Sequence, residues 1–206
     1  MAWAHAARVL GGWADARDTL ANAREMAQRA IQRDPADPWT HFAAGYVHMI
    51  SRRFDPAVEE LCEAIELNPS LAFAHTILGC AYGYGGMAED GLLHCAIAAR
   101  LSPRDYTEPG NFGRRGLCHF IAGRFDDAVE CMQRAVDLRP HFSGAWRSLA
   151  ACAGMAGDLD IARHALSVAK RLHPSLSVEW IEEYHPIVRE NDRATYIAGL
   201  RAAGLT

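Results

Sequence analysis

Residues 38–71, PWTHFAAGYVHMISRRFDPAVEELCEAIELNPSL, and residues 72–105, AFAHTILGCAYGYGGMAEDGLLHCAIAARLSPRD, are two lines of one pattern, each 34 residues long. Self-similarity at such a period marks one supersecondary unit repeated along a stack, so it decides the fold before any local reading. Outward from these two lines the pattern continues. Prolines stand at Pro35, Pro69, Pro103, Pro140 and Pro174, spaced by 34, 34, 37 and 34 residues. Five residues before them lie Ala30, Ala64, Ala98, Ala135 and Ala169. Small residues recur at Ala23, Ala57, Gly91, Ala128 and Ala162, and again at Gly11, Gly45, Gly79, Gly116 and Ala150. With the proline at place 32, five units span 4–37, 38–71, 72–105, 109–142 and 143–176, with three additional residues at 106–108.

Each unit reads as two short amphipathic helices, neither of which can bury its apolar stripe unless a neighbouring unit covers it. Small residues at places 8, 20 and 27 let paired backbones approach closely. A bulky residue at Gly45 or Gly79 is therefore expected to cost about 1–3 kcal/mol through overpacking. The proline cannot continue a helix and biases its predecessor toward extended geometry, which turns the chain into the next unit. The 37 alanines among 206 residues become a consequence of repetition as well as of helix propensity. Spacing and columns together resemble the tetratricopeptide repeat family, with Leu10, Leu78 and Leu149 at place 7, Tyr82 at place 11 and Trp146 supplying the aromatic at place 4. The resemblance implies an all-α fold: one right-handed α-solenoid of helix-turn-helix units over residues 1–206.

Residues 177–206 keep the helical period without completing a unit, and a C-terminal capping helix pair is expected there. Trp180, Ile181, Tyr184, Ile187 and Val188 would cover the fifth unit, and His185-Pro186 would interrupt. Asn191-Asp192 would cap a final helix carrying Tyr196, Ile197 and Leu200 up to Gly204. At the other end Trp3, Leu10 and Trp13 give the first unit an apolar outer face, where a terminal repeat is normally polar. The expectation is a longer protein with a region upstream, or a homodimer formed through that end. AARLSPRD (98–105), GLCHFIAGRFDDAVE (116–130) and DRATYIAGLRAAGL (192–205) are similar to bacterial tetratricopeptide regions that follow a class III adenylate or guanylate cyclase domain, or a winged-helix regulator domain. This narrower resemblance implies an alternative function, the C-terminal regulatory region of a bacterial adenylate cyclase or transcriptional regulator. None of the cyclase's own residues has a counterpart in this chain.

Half of the residues are apolar, 22% are charged and the formal charge is −4. With no apolar run of transmembrane length and no basic leader before an apolar run, the chain reads as soluble and cytoplasmic with no membrane partner. The absence of a lysine- or arginine-rich block disfavours a nucleic-acid partner. Cys62, Cys80, Cys95, Cys118, Cys131 and Cys152 form no CxxC pair and no zinc spacing, and are expected as packed free thiols. His41 and His48 lie seven apart and His75 takes the place of His41 in the next unit, but no acidic third ligand sits at helical spacing. No metal and no cofactor is assigned. The stretch GNFGRRG (110–116) lacks the ending of a phosphate loop and a preceding strand. It is expected to delay the fourth unit's first helix and to soften the stack there. No Ser-His-Asp or Cys-His arrangement can be argued, so the chain is read as having no catalysis of its own.

Function, as the family resemblance implies it, lies on the first helix of each unit, where places 2, 5, 6, 9, 12 and 13 line a concave surface. The second unit places Trp39, Phe42, Tyr46 and Met49 there, and the third Phe73, Thr76, Cys80 and Tyr84. Arg114, Leu117 and Phe120 follow in the fourth unit, Arg147 and Met155 in the fifth. Aromatics and arginine dominate binding hot spots, and arginine grips carboxylates bidentately. Trp39, Phe42, Tyr46, Met49, Phe73, Tyr84, Arg114, Phe120 and Arg147 are accordingly the candidate contacts for a protein or peptide partner, an upstream domain of the same polypeptide included. The alternative is that the aromatics pack between first helices or against the lid. A carboxylate clamp for acidic chaperone tails needs lysine at place 5 and asparagine at place 9. The pairs here, Arg8/Gly12, Phe42/Tyr46, Thr76/Cys80 and Arg147/Ala151, disfavour such a tail.

Overall fold

Helix starts and turns follow the unit's chemistry in the computed structural model, which describes residues 2–10, 16–102 and 108–206. Among the described residues the elements are α1 (Ala2–Leu10), α2 (Ala16–Arg33), α3 (Pro38–Ile50), α4 (Phe54–Leu67), α5 (Ala72–Gly85) and α6 (Ala88–Leu101). They continue with α7 (Glu108–Ile121), α8 (Phe125–Leu138), α9 (Ser143–Ala156), α10 (Leu159–Leu172), α11 (Val178–Tyr184) and α12 (Glu190–Ala202). Asp37 caps α3 by accepting the Trp39 N–H at 3.0 Å, with Pro38 in the first turn where no donor is missed. Asp158 and Ser177 cap α10 and α11 in the same way.

Odd- and even-numbered helices up to α10 pair as hairpins, and each odd helix also packs on the even helix before it and on the next odd helix. The odd helices thus form an inner layer and the even helices an outer one, the arrangement of an all-α, right-handed α-solenoid. Ala57, Ala64, Ala128 and Ala162 have no exposed surface. A Cβ on Gly45 would stand 2.5 Å from Leu61 Cγ, and one on Gly79 2.8 Å from the Gly91 carbonyl oxygen. The small-residue columns are where the paired backbones meet.

Place 4 joins one unit to the next. His41 Nε2, His75 Nε2 and Trp146 Nε1 reach the carbonyl oxygens of Pro35, Pro69 and Pro140 at 2.9, 3.3 and 2.8 Å. A ring N–H at this place satisfies a carbonyl that the turn would otherwise leave unbonded. His41 also meets Glu60 Oε2 at 2.7 Å, so both ring nitrogens face acceptors. Although burial lowers it, its pKa is raised above 6.5 by the Pro35 and Glu60 contacts. Trp146→Phe keeps the ring and loses the bond, and is expected to cost about 1 kcal/mol, read as a fall of about 2–4 °C in thermal midpoint.

Place 15, in the turn between paired helices, has positive φ in four units: Gly86 at 86°, Gly123 at 74°, Gly157 at 86°, and in the second unit Arg52 at 57°. Glycine adopts this region freely, whereas a side chain there costs about 1–2 kcal/mol. Contacts of the Arg52 guanidinium, described below, offset that cost.

Two expectations are corrected. The glycines of 110–116 do not delay α7, which already runs from Glu108; packing on α5, α6 and α8 overrides their low propensity. Residues 103–107, where the additional residues begin, lie outside the described residues. The lid is also built differently. It is α12 that stacks on α9, with Gly154 and Gly199 in backbone contact, and its N-cap is Arg189 rather than Asn191-Asp192. Asp192 pairs instead with Arg189 Nε at 3.2 Å. While Trp180 of α11 does reach the fifth unit, residues 185–189 run back to the second and third. The side chains of Trp3 and Leu10 and the whole of Trp13 lie outside the described residues.

Candidate functional site

The nine candidate contacts fall on the inner layer in two parts. Rings of Trp39, Phe42 and Phe73, from α3 and α5, form a cluster with centroids 5.5, 5.8 and 6.1 Å apart. Trp39 keeps 47% of its surface exposed and Phe73 is half-buried, over a buried floor of Phe42 and Tyr46. Arg114 is half-buried and lies against Tyr46 and Cys80. This part is open.

Met49, Tyr84, Phe120 and Arg147 are buried, with Arg147 only 2% exposed. The chain's own return segment covers the last three. Trp180 lies 5.0 Å from Arg147 Cζ, and Arg147 Nε donates to the Tyr196 hydroxyl at 3.4 Å. Tyr196 also shares a 3.0 Å hydrogen bond with Ser148 and meets Phe120 edge-on at 5.6 Å. His185 is wedged between Tyr84, edge-on at 5.7 Å, and Tyr196 at 4.4 Å. Ile181 and Ile187 have no exposed surface. Six of the nine candidates, Phe42, Tyr46, Met49, Tyr84, Phe120 and Arg147, are therefore buried by the protein itself. For Tyr84, Phe120 and Arg147 the cover comes from residues 178–200, which supply the apolar surface that these side chains need.

Backbone contacts fix the segment. Arg52 Nε donates to the His185 carbonyl at 2.7 Å, and its Nη2 donates to those of Ile181 at 3.1 Å and Glu182 at 2.6 Å. These are carbonyls at the C-terminal end of α11, where a cation also meets the negative end of the helix dipole. The Val188 N–H donates to the Tyr84 carbonyl at 2.9 Å, and Arg189 Nη1 to that of Gly86 at 3.1 Å. Sequence reasoning missed Arg52, and the available signal was an arginine at place 15, where the next three units carry glycine.

Electrostatically the groove is a field of cations over neutral donors. Among the described residues no carboxylate lies within ion-pair distance of Arg114 or Arg147, and Arg114 Nε and Arg147 Nη1 meet no hydrogen-bond partner. Burial, helped by the Arg147 charge, lowers His173 to about 4. Burial, then Arg147, Arg52 and Arg193, holds His185 well below 6.5. Burial pushes the Tyr46 hydroxyl up to about 12 and the Cys80 thiol up to about 11. A nucleophilic thiol needs the opposite shift, so the Cys80 thiol is held in its neutral form. A second concavity of about 730 Å³ lies against α7 and α8, lined by Arg115, Arg134 and His119 together with Asp127, Glu130 and Asp137. Among the described residues no group of three or more His, Cys, Asp or Glu could hold a metal ion, and no helix is long and apolar enough to cross a membrane.

Comparisons with known proteins agree with this architecture. Two sequence models of the tetratricopeptide repeat match, at residues 40–71 and 115–177. No curated protein matches the chain in sequence. Among solved structures, a thermophilic tetratricopeptide protein of Thermus thermophilus superposes with a TM-score of 0.67 at 20% identity, covering 89% of this chain and 92% of that one. PilW, described as a widely conserved type IV pilus biogenesis factor, gives 0.66 at 18% identity over 90% of this chain and 82% of its own. MamA from Desulfovibrio magneticus RS-1 gives 0.57 at 18% over 77% and 88%. At these identities the structures establish the fold alone. The five stacked hairpins among the described residues, the small-residue columns at their crossings and the two sequence matches lead to one conclusion: the chain is a tetratricopeptide repeat protein.

Proposed function

We propose that the chain is a non-catalytic scaffold that holds a partner protein or peptide on its concave face, with Trp39 and Phe73 as aromatic anchors and Arg114 as a cation for an oxygen acceptor. Tetratricopeptide repeats serve in general as protein-interaction scaffolds. The observation that carries the finer reading is Trp39, an indole with 47% of its surface exposed but fixed by the rings of Phe42 and Phe73. An anchor already ordered in the free protein loses little side-chain entropy on binding. On the same inner face Arg114, half-buried against Tyr46 and Cys80, would supply the cation for a carboxylate or carbonyl of the partner.

Immobilised native chain and the Trp39→Ala/Arg114→Ala variant, compared for the proteins each retains from cell extract, test this reading. A specific protein should fall at least ten-fold on the variant, at unchanged helical circular dichroism. Equal recovery on both would remove the groove from the account.

A further inference from the structure

We infer that residues 178–189 are a displaceable internal ligand of the concave groove, latched by Arg52, and that the groove accepts in exchange a partner segment of the same form: an aromatic-bearing helical turn running into an extended, proline-containing apolar stretch. This rests on the reading of the groove as the partner site and names its occupant and its gate.

The segment behaves as a bound peptide does. α11 is seven residues long, and beyond it His185 to Arg189 run without helical structure. Its contacts are of the kind a groove makes with a peptide. The Val188 N–H donates to the Tyr84 carbonyl, His185 and Ile187 are buried side chains, and Val188 points enough surface outward to be 37% exposed. Both ends are also held by contacts outside the segment. α10 and its Ser177-capped junction lie on one side, and on the other α12 is seated by the Gly154–Gly199 contact and by Tyr196. The stretch between can therefore lift as a loop while the stack and α12 remain.

The closed contact is also polar-mismatched. Arg147 Nη1 beneath the segment and His185 Nδ1 within it have no hydrogen-bond partner, and the imidazole lies near the charges of Arg147, Arg52 and Arg193. Against this stand Ile181, Ile187, the three carbonyl bonds of Arg52, and the bonds of Arg193 Nη1 to the carbonyls of Ile187 at 3.1 Å and Val188 at 3.4 Å. Arg52 is the residue that makes closure specific. It occupies the left-handed turn place that is glycine in the next three units, so glycine is accommodated there and arginine is present for its guanidinium. Strain at a residue whose side chain reaches a distant segment is the mark of a device rather than of a plain turn.

The test compares the full chain with Arg52→Gly, a variant carrying the residue that the other units use. Two measurements are made: amide hydrogen exchange along the chain, and fluorescence anisotropy with a labelled peptide of residues 178–190, VEWIEEYHPIVRE. The expected result is exchange at least ten-fold faster across 178–189 in the variant, the Val188 amide included, with α4 to α6 unchanged, and the peptide bound by both proteins, since Arg52 would hold the same carbonyls in the peptide as in the internal segment; saturating peptide should itself speed exchange across 178–189 of the native chain. Unchanged exchange in 178–189 overturns the latch and leaves the groove reading standing. Faster exchange throughout units two to five makes Arg52 a structural staple and also overturns it. Exchange confined to 178–189 with no peptide bound by either protein overturns the groove reading, and the inference with it.

Discussion

Gly199→Leu is expected to lower the stability of the chain by about 3 kcal/mol or more, the upper end of the range for overpacking. At the crossing of α9 and α12 the two backbones touch. A Cβ on Gly199 would fall on the carbonyl of Ala151, and one on Gly154 on the carbonyl of Gly199. Backbone carbonyls cannot rotate out of the way as a side chain can. At Gly45, by contrast, the nearest atom is the Leu61 Cγ, so a methyl group there meets a partner with freedom to adjust. For a chain of this length about 3 kcal/mol corresponds to a fall of about 6–12 °C in midpoint, measurable by thermal circular dichroism. The loss propagates, because Tyr196 on the same helix is the floor on which Phe120 and His185 pack. An unchanged midpoint would contradict the close approach itself.

Acidification from pH 7 to pH 5 is expected to remove about 2 kcal/mol of stability through His173 alone. This imidazole is 2% exposed, packed edge-on against Trp180 at 4.7 Å, and its pKa is lowered from 6.5 to about 4 by burial and then by Arg147. Because the folded value lies below the unfolded one, the unfolded chain binds more protons between them. The stabilisation is complete above about pH 6.5 and is lost as pH falls toward 4. His185, lowered by burial and then by Arg147, Arg52 and Arg193, acts in the same direction. His41, whose value is raised, contributes below pH 6.5 and loses its contribution as pH rises through its folded value. Urea midpoints at pH 5 and pH 7 for the native chain and His173→Phe measure the effect. The variant should show a difference about 2 kcal/mol smaller, and equal differences in both would exclude His173 as the source.

Much of the fold was legible along the chain because tetratricopeptide units contact chiefly their sequence neighbours. The alanines and glycines of places 8, 20 and 27 mark helix crossings, and the ring nitrogens of His41, His75 and Trp146 fall at one place because they meet one recurrent carbonyl. The candidate site was legible only in part. Positions lining the inner layer follow from the register, so Trp39, Phe42, Tyr46 and Tyr84 could be named. The sequence left a cover by the lid as an alternative but could not place it over Tyr84, since it comes from a segment about a hundred residues away that no local periodicity links to it.

The sequence by itself determined the repeat, its register and the inner face of the stack, since each is set by contacts within a unit or to its neighbour. Only the tertiary structure decided that α12 continues the stack while α11 and residues 185–189 turn back into the groove. That outcome depends on three carbonyls converging on the Arg52 guanidinium across some 130 residues of chain. A contact of that sequence separation leaves at most one trace in the sequence, an arginine where the following units place glycine.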